Sequence, residues 1–293
     1  MEQAIEKAGA LIEAMEYIRR FRNQIIVVKL GGSVLDDIEQ RKKLLTDIAF
    51  MATVGMQPVI IHGGGKAITK AMEKAGLEPV WVHGQRYTDE RTLNIAEHTL
   101  IHNINLPICE TLTQLGCQNM PLHSLSSCAL VAEPLILKSQ EGRTLDLGLV
   151  GEVREINTHL LKTLCGSGTI PVIAPVAGDK TGRKLNVNAD SAAGKVAAAL
   201  LAEKLVVLSD THGIFTDLND PATHVSTASE DQIKEMVDSG IIEGGMLPKV
   251  QACLTALEGG VKKAHIIDGR IEHSLLLEIY TDKGVGTEIV KRL

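Results

Sequence analysis

The sequence has few of the features that mark nucleic-acid-binding, membrane-spanning or disulfide-linked proteins. Aromatic residues make up only 2% of its 293 residues, which leaves few surfaces for stacking single-stranded nucleic acid. No stretch approaches the roughly 20 apolar residues of a membrane-spanning helix, and no signal-peptide core is evident. The cysteines are odd in number and form no CxxC pair, which predicts reduced, mostly buried thiols rather than disulfides or zinc ligands. They are Cys109, Cys117, Cys128, Cys165 and Cys253.

The charge balance excludes a general attraction to polyanions. Lys and Arg total 30 against 36 for Asp and Glu, and the net charge of -6 provides no positive field for nucleic acid or an anionic membrane. Any phosphate must therefore be held by local groups. The N-terminal segment is rich in glutamate, which argues against a transit peptide, and we predict a cytoplasmic protein.

Short β-branched runs alternate with helical patterns along most of the chain. The runs end at glycine or polar residues and cover residues 25–28, 58–61, 171–175, 205–208 and 265–267. The helical patterns between them cover residues 41–53, 67–75, 190–203, 230–239 and 248–258. This alternation predicts an α/β fold, a three-layer αβα sandwich with a mainly parallel central sheet. In such sheets ligands lie at the carboxyl ends of the strands.

Two segments differ from this alternation. Residues 2–22 carry apolar residues at spacings of three and four and end in arginines, which predicts an amphipathic helix. This helix either packs on its own domain or docks on a second subunit. Residues 128–153 alternate apolar and polar positions around residues 141–143, which predicts a β-hairpin arm.

The glycine-rich turns do not match the common phosphate loops. Lys66 and Lys195 follow glycines, but neither is followed by serine or threonine, so neither belongs to a P-loop. No GxGxxG fingerprint follows a strand, which argues against a dinucleotide-binding oxidoreductase. His98 and His102 have the spacing of two zinc ligands, but the sequence offers no third ligand and no HExxH glutamate. We predict no metal site there.

Four other segments combine glycine or asparagine with a charged residue near a strand or helix end. They are KLGG at 29–32, HGGGK at 62–66, NVNAD at 186–190 and GGMLPK at 244–249. Glycines let backbone N–H groups approach a phosphate oxygen, and a nearby lysine neutralises charge that spreads during phosphoryl transfer. The alternatives are a tight turn with a solvated Lys29 and a simple helix cap at Asp190.

The chain resembles the amino-acid kinase family, and its acetylglutamate kinases in particular, over nearly its whole length. The resemblance rests on six segments in order: KLGG, HGGG, GQRYTD, NVNAD, LSDTHGI and GGMLPKV. It implies ATP-dependent phosphorylation of the γ-carboxylate of N-acetyl-L-glutamate, giving N-acetyl-L-glutamyl 5-phosphate and ADP in arginine biosynthesis. Mg²⁺ would be carried with ATP.

The resemblance also implies a role for each matching residue. Lys29 and Lys249 would neutralise the transferred phosphoryl group, and Asp190 would hold the two ammonium groups. The acceptor would be bound by Gly64, Gly65, Arg86 and Asn186, and Gly64 and Gly32 would direct N–H groups at the phosphoryl oxygens. ATP would be bound by Gly31, Gly32, Ser209, Asp210, Gly213 and Ile214. No protein base is needed, because the attacking carboxylate is ionised at neutral pH.

The N-terminal helix and residues 273–278 and 284–287 resemble the arginine-sensitive branch of the family. This implies a homo-oligomer, either a dimer or a hexamer built as a trimer of dimers, with arginine as feedback inhibitor. The arginine site would contain Tyr17, Lys204, His273, Glu278 and Gly286. The implied domains are 1–23, an oligomerisation helix; 24–180, a lobe for acetylglutamate; and 181–293, a lobe for ATP.

Several alternatives stay open at this point. Residues 123–128 depart from the glycine- and aspartate-containing stretch of acetylglutamate kinases, which affects the expected substrate contacts. Rival functions within the family are kinases for aspartate, glutamate, carbamate or a nucleoside monophosphate. Two further alternatives lie outside these kinases. One is a non-catalytic sensor of arginine or a nucleotide, although the intact Lys29, Lys249 and Asp190 argue against it. The other is a flavin- or nicotinamide-binding protein.

Overall fold

The structure is a computed structural model, and it describes residues 1–124, 126, 127, 129–139, 141–280 and 284–292. Within them the α-helices are α1 (Glu2–Phe21), α2 (Ile38–Thr53), α3 (Gly65–Lys74), α4 (Glu90–His98), α5 (Leu106–Gln114), α6 (Thr158–Gly166), α7 (Ala189–Leu200), α8 (Glu230–Asp238), α9 (Leu247–Glu258) and α10 (Ser274–Tyr280). A π-helix (Thr99–Asn105) joins α4 to α5, and 3-10 turns cover Gly32–Leu35, Pro221–Thr223 and Gly244–Met246.

The strands are mostly short. They are β1 (Ile25–Leu30), β2 (Gln57–His62), β3 (Trp81–Val82), β4 (Gln85–Arg86), β5 (Asn119–Leu122), β6 (Leu130–Pro134), β7 (Leu137–Lys138), β8 (Thr144–Leu145), β9 (Val150–Ile156), β10 (Ile170–Ile173), β11 (Val176–Gly178), β12 (Lys184–Val187), β13 (Lys204–Ser209), β14 (Ile214–Phe215), β15 (His224–Val225), β16 (Thr227–Ser229), β17 (Lys263–Asp268) and β18 (Gly286–Val290).

A central sheet runs in the order β16-β18-β17-β13-β1-β2-β10-β5. Its neighbours pair in parallel except β17 with β18. Successive residues of β1 serve opposite faces, because Val27 packs with α7 and α9 whereas Val28 packs with α2 and α10. Helices therefore cover both faces, and the predicted three-layer αβα sandwich is confirmed. The residues of β1 are almost all buried, as expected for a strand covered on both sides.

The predicted hairpin arm is confirmed in its pairing. β6 pairs antiparallel with β9, and β7 with β8. β6 and β9 also close a small barrel with β11 and β12, which the sequence did not predict. The lobe boundary that we expect near residue 180 falls between β11 and β12. Two residues of this region lie outside the described residues. They are Cys128, at the start of the predicted arm, and Leu125, in the segment 123–128 that differs from acetylglutamate kinases.

The second half of helix α1 packs on its own subunit, through Ala14, Tyr17, Ile18 and Phe21. Phe21 is 2% exposed, whereas Ile5 and Ile12 are 65% and 67% exposed. These two isoleucines near the start of α1 are therefore uncovered within this chain. Within the described part of the chain, none of the helices combines the length and apolarity needed to cross a bilayer. Three of the four described cysteines are buried, as predicted.

Candidate active site

The glycine-rich segments meet at the carboxyl ends of two central strands. β1 and β2 are parallel neighbours, so the segments 29–32 and 62–66 leave the sheet side by side. They border a cavity of about 240 Å³. Its wall includes the sequence-predicted residues Lys29, Gly31, Gly32, Gly64, Gly65, Arg86, Asn186 and Asp190.

A buried ion pair lies in the wall of this cavity. Lys29 Nζ is 2.8 Å from Asp190 Oδ1, and both residues are buried. Removing either partner would leave an uncompensated buried charge. The interpretation of Asp190 as a helix cap was wrong, because Asn188 caps α7 by accepting a hydrogen bond from the Ser191 backbone N–H at 3.0 Å. Asp190, in the first turn of α7, is directed at Lys29 instead.

Lys249 approaches the same charges from the first turn of α9. Its ammonium donates a hydrogen bond to the Gly245 carbonyl at 2.7 Å, and it lies outside the cavity wall. Burial lowers the pKa of Lys249, and the nearby charge of Asp190 opposes this effect. Lys29, Asp190 and Lys249 therefore interact electrostatically, although Lys249 is held by Gly245 in this conformation.

Glycine is required at two points of the wall for different reasons. Gly32 has a φ of +70°, and a Cβ there would overlap the Asp210 carboxylate. A Cβ on Gly64 would lie 2.6 Å from Leu100 Cδ2 and 2.8 Å from Ile104 Cδ1, two side chains of the π-helix. Left-handed backbone at the first and close packing at the second both exclude a side chain, so backbone groups border the cavity.

Arg86 is held at the edge of the cavity beside α3. Its Nη2 donates hydrogen bonds to the Gly65 carbonyl at 3.0 Å and to Thr69 Oγ1 at 2.8 Å. The guanidinium carbon lies 4.5 Å from the centre of the Trp81 ring, a cation–π contact. The side chain is buried, which lowers the pKa of Arg86. These contacts hold the planar fork in one orientation.

Asn186 and Arg86 are connected through one threonine. Asn186 Nδ2 donates to Thr88 Oγ1 at 3.2 Å, and Thr88 Oγ1 donates to the Arg86 carbonyl at 2.8 Å. Thr88 and Trp81 were both missed by sequence reasoning. Thr88 lies within the recognised GQRYTD segment, so its signal was available. The only signal for Trp81 in the sequence was that it is the single tryptophan of the chain.

Of the six predicted ATP-binding residues, Gly31 and Gly32 lie in the cavity wall, whereas Ser209, Asp210, Gly213 and Ile214 lie outside it. Ser209 ends β13, and Asp210 Oδ2 lies 3.2 Å from Lys66 Nζ, so this segment touches HGGGK. Gly213 has a φ of +104°. The Ile214 N–H donates to Thr287 Oγ1 at 2.8 Å, which engages one of the backbone groups expected to face ATP.

A second cavity, of about 450 Å³, lies where α1 ends against α10. Its wall includes Tyr17, Lys204, Glu278 and Gly286, four of the five residues of the implied arginine site. His273 is not with them: its Nδ1 lies 2.7 Å from Asp47 Oδ1, beside α2.

The histidine that contacts Glu278 is His265. Its Nδ1 lies 2.6 Å from Glu278 Oε1, and the Val285 N–H donates to Glu278 Oε2 at 2.8 Å. Burial lowers the pKa of His265, so the neutral ring donates to a carboxylate. Burial acts to raise the pKa of Glu278, but these hydrogen bonds and the Lys204 charge together hold it below its usual value.

Comparisons with known proteins show the family to which the chain belongs. The model of the amino acid kinase family matches residues 24–268. The acetylglutamate kinase of Symbiobacterium thermophilum is 43% identical over 291 residues, which cover 99% of each chain. The chain therefore belongs to the amino acid kinase family, in its acetylglutamate kinase branch.

Two solved structures of one enzyme are also similar to this chain. The N-acetylglutamate synthase of Neisseria gonorrhoeae, complexed with coenzyme A and N-acetyl-glutamate, superposes with a TM-score of 0.85 at 27% identity. Its complex with coenzyme A and L-arginine gives 0.81 at 26% identity. The matches cover 98% and 97% of this chain, but only 64% and 65% of the synthase.

Proposed function

We propose that this protein transfers the γ-phosphoryl group of ATP to the γ-carboxylate of N-acetyl-L-glutamate, giving N-acetyl-L-glutamyl 5-phosphate and ADP in arginine biosynthesis. The observation that carries the proposal is the Lys29–Asp190 ion pair, buried in a cavity that Arg86 and the two glycine segments also border. Full-length similarity to an acetylglutamate kinase supports the identity of the acceptor.

The chemistry needs positioning and charge stabilisation rather than a base. The acceptor carboxylate is already ionised near neutral pH. Lys29 stabilises negative charge on the transferred group, and Asp190 fixes the direction of its ammonium. Lys249 gives up its bond to the Gly245 carbonyl to reach the same group, since catalytic hydrogen bonds often form fully only in the complex with the substrates. Gly32 and Gly64 add backbone donors without side-chain obstruction.

Arg86 binds the α-carboxylate of the acceptor through its planar fork. Its Nη2 already donates to Gly65 and Thr69, and its Nη1 lies 3.3 Å from Met72 Sδ, so the guanidinium is oriented before the acceptor arrives. A bidentate pair with the carboxylate requires Nη2 to release one of its two bonds. Asn186, whose amide is held by Thr88, supplies a neutral polar contact beside it. ATP lies along Gly31, Gly32, Ser209, Asp210, Gly213 and Ile214.

Mg²⁺ fits this donor set as a metal carried mainly by ATP. It keeps several waters and binds phosphates readily. Among the described residues, no group of three or more His, Cys, Asp or Glu side chains is clustered for a metal. The ion would supply charge neutralisation to the phosphates, while Asp190 remains with Lys29.

An acceptor panel tests the proposed function. Release of ADP is measured with N-acetylglutamate, glutamate, aspartate, carbamate and uridine monophosphate, with MgATP in each assay. We expect N-acetylglutamate to be fastest and to give an acyl phosphate that hydroxylamine traps. Faster turnover of any other acceptor would reassign the protein within the family, and absence of turnover with all five would favour a sensor.

We further propose that arginine binds the second cavity and inhibits a cytoplasmic hexamer formed by three dimers, with residues 1–23 as its oligomerisation helix. The Glu278 and Glu288 carboxylates line the cavity, and a carboxylate can bind a guanidinium through paired hydrogen bonds. Without a ligand, Glu278 accepts from His265 and Val285, and Glu288 pairs with Lys263 at 2.8 Å. The related synthase has been solved with L-arginine, which is consistent with this ligand. Residues 24–180 form the acetylglutamate lobe and 181–293 the ATP lobe.

A further inference from the structure

A chain of buried hydrogen bonds lies behind the HGGG segment and has no part in the function proposed above. His62 is the last residue of β2, Asn105 is the last residue of the π-helix, and both are 0% exposed. Asn105 Nδ2 lies 3.0 Å from His62 Nε2 and 3.0 Å from the Val172 carbonyl oxygen. His62 Nδ1 lies 2.9 Å from the Gly63 carbonyl oxygen. We call these contacts the His62 relay.

The contacts fix the tautomer of His62. An amide nitrogen carries two hydrogens and has no lone pair to accept with, so Asn105 donates to Val172 and to His62 Nε2. Nδ1 therefore carries the imidazole hydrogen and donates it to the Gly63 carbonyl. Rotating the Asn105 amide by half a turn would place Oδ1 against the Val172 carbonyl oxygen, which excludes the other assignment. Burial lowers the pKa of His62 to about 4, in keeping with a neutral ring.

The relay sets the direction of the next backbone donor. The peptide bond between Gly63 and Gly64 is planar and trans, so its C=O and N–H point in opposite directions. Because the carbonyl is held toward His62, the Gly64 N–H points away from the buried imidazole, and Gly64 lines the cavity. Neither glycine has a Cβ that would restrict rotation of this peptide. The hydrogen bond from His62 is therefore a specific restraint on it.

The π-helix supports the same segment from a second direction. Leu100 and Ile104 are the side chains that a Cβ on Gly64 would meet, and Asn105 is the next residue. Hydrogen bonds to the fifth residue widen this turn, which lets all three side chains face the glycine segment. The segment is thus packed by two aliphatic side chains and oriented by one amide.

We propose that Asn105 and His62 are positioning residues for phosphoryl transfer: they orient the Gly63–Gly64 peptide so that the Gly64 N–H meets the transferred phosphoryl group. This inference rests on the proposed function, because it uses the part that Gly64 plays there. The relay acts on the transition state, in which charge on the phosphoryl oxygens is redistributed, more than on binding of either substrate.

Two variants interrupt the relay at different points. Asn105→Leu removes the amide hydrogens at similar volume, and His62→Phe removes both ring nitrogens. We expect kcat to fall roughly 30- to 100-fold in each, with KM for ATP and acceptor changed less than about threefold, because a misdirected donor weakens the transition state selectively. The double variant should be no slower than the slower single variant, because both changes break one relay.

Asn119→Leu is the matched control. The Asn119 amide nitrogen, at the start of β5, lies within hydrogen-bond distance of the Cys109 carbonyl, Thr113 Oγ1 and the Cys117 carbonyl. Its loss should lower the thermal stability and leave kcat unchanged. A purely structural role for Asn105 predicts the same pattern in Asn105→Leu. Should Asn105→Leu fail to fold, Asn105→Ser takes its place, because the shorter hydroxyl does not reach His62.

Binding of MgADP together with aluminium fluoride and the acceptor further separates a positioning role from a purely structural role. The aluminium fluoride mimics the transferred phosphoryl group. We expect the relay variants to weaken binding of the mimic at least about tenfold while binding ADP normally. Equal affinity for the mimic in wild type and in both variants would overturn the proposal. All assays use the acceptor that the wild type phosphorylates fastest, so a wrong acceptor assignment would be detected first and would leave this comparison intact.

Discussion

The two lysines of the site differ in how they are held, and both are expected to act on charge in the transition state. Lys29 is fixed by Asp190, whereas Lys249 is bonded to the Gly245 carbonyl. Lys29→Met and Lys249→Met should each lower kcat by about 10²- to 10³-fold and change the KM for ATP much less. Steady-state ADP release measures both constants.

Lys262→Met is the control for these variants, because Lys262 is an exposed lysine paired with Glu203 at 2.7 Å. It should retain wild-type kinetics. Lys29→Met also leaves Asp190 buried without its partner, which destabilises the fold, so the rates are normalised to folded protein. Near-normal turnover in either Met variant would contradict the assigned role of that lysine.

Arg86→Lys tests whether the guanidinium fork binds the acceptor. A lysine cannot bond Gly65, Thr69 and a carboxylate from one planar group. We expect the KM for the acceptor to rise about tenfold or more, with a smaller change in kcat. Arg154→Lys is the matched control, since Arg154 is half-exposed and pairs with Glu133 and Glu152. An unchanged acceptor KM in Arg86→Lys would remove Arg86 from the acceptor site.

Site residues were predictable from sequence where the signal is local. Lys29 and Gly64 could be recognised because they lie at or just after the end of a strand. Few structural roles other than ligand binding require a glycine or a lysine at such a position. The partner of His273 was not predictable, because Asp47 lies 226 residues away in the sequence. The same holds for Asn188, since both it and Asp190 are good capping residues and only the turn geometry selects one.

At the scale of elements, the central strands were predicted well and the barrel was not. Runs such as β1 and β13 are buried on both faces, so nearly every residue is apolar and the pattern is unmistakable. β11 and β12 have three and four residues, too few to show a period. The π-helix escaped prediction because a single turn of altered hydrogen bonding leaves the apolar spacing of α4 and α5 nearly unchanged.

His62, at the end of β2, should make the free energy of unfolding depend on pH. Burial lowers the pKa of His62 to about 4, whereas an unfolded histidine titrates near 6.5. Between these values the unfolded chain binds the proton, so the contribution of His62 is complete above pH 6.5 and is lost as the pH falls toward 4. The free energy of unfolding attributable to His62 should fall by about 2 kcal/mol between pH 7.5 and pH 5.

Urea unfolding at both pH values measures this effect as a difference between variants. His62→Phe has no imidazole at this position, so its stability should vary less with pH than that of the wild type, by the same amount. His159→Phe, at an exposed histidine, should vary as the wild type does. Identical pH dependence in wild type and His62→Phe would show that the buried imidazole is not the group responsible.

At the scale of the whole molecule, α1 connects an uncovered apolar face to the second cavity. Ile5 and Ile12 are exposed near its start, while Tyr17, Arg20 and Phe21 near its end line the cavity. A second copy of α1 is the proposed cover for the apolar face. Inhibition through this cavity requires that arginine prefer an arrangement of the lobes that is less competent for catalysis.

Deleting residues 1–22 should separate assembly from catalysis, because Lys29, Asp190 and Lys249 all lie beyond the deletion. We expect light scattering to report a dimer in place of a hexamer, kcat to remain within about threefold, and the arginine concentration for half inhibition to rise at least about tenfold. The paired change Ile5→Ser and Ile12→Ser leaves Tyr17 and the cavity in place, so it should abolish the hexamer while retaining arginine binding in calorimetry. A wild-type chain that stays dimeric and ignores millimolar arginine would rule out the regulatory proposal.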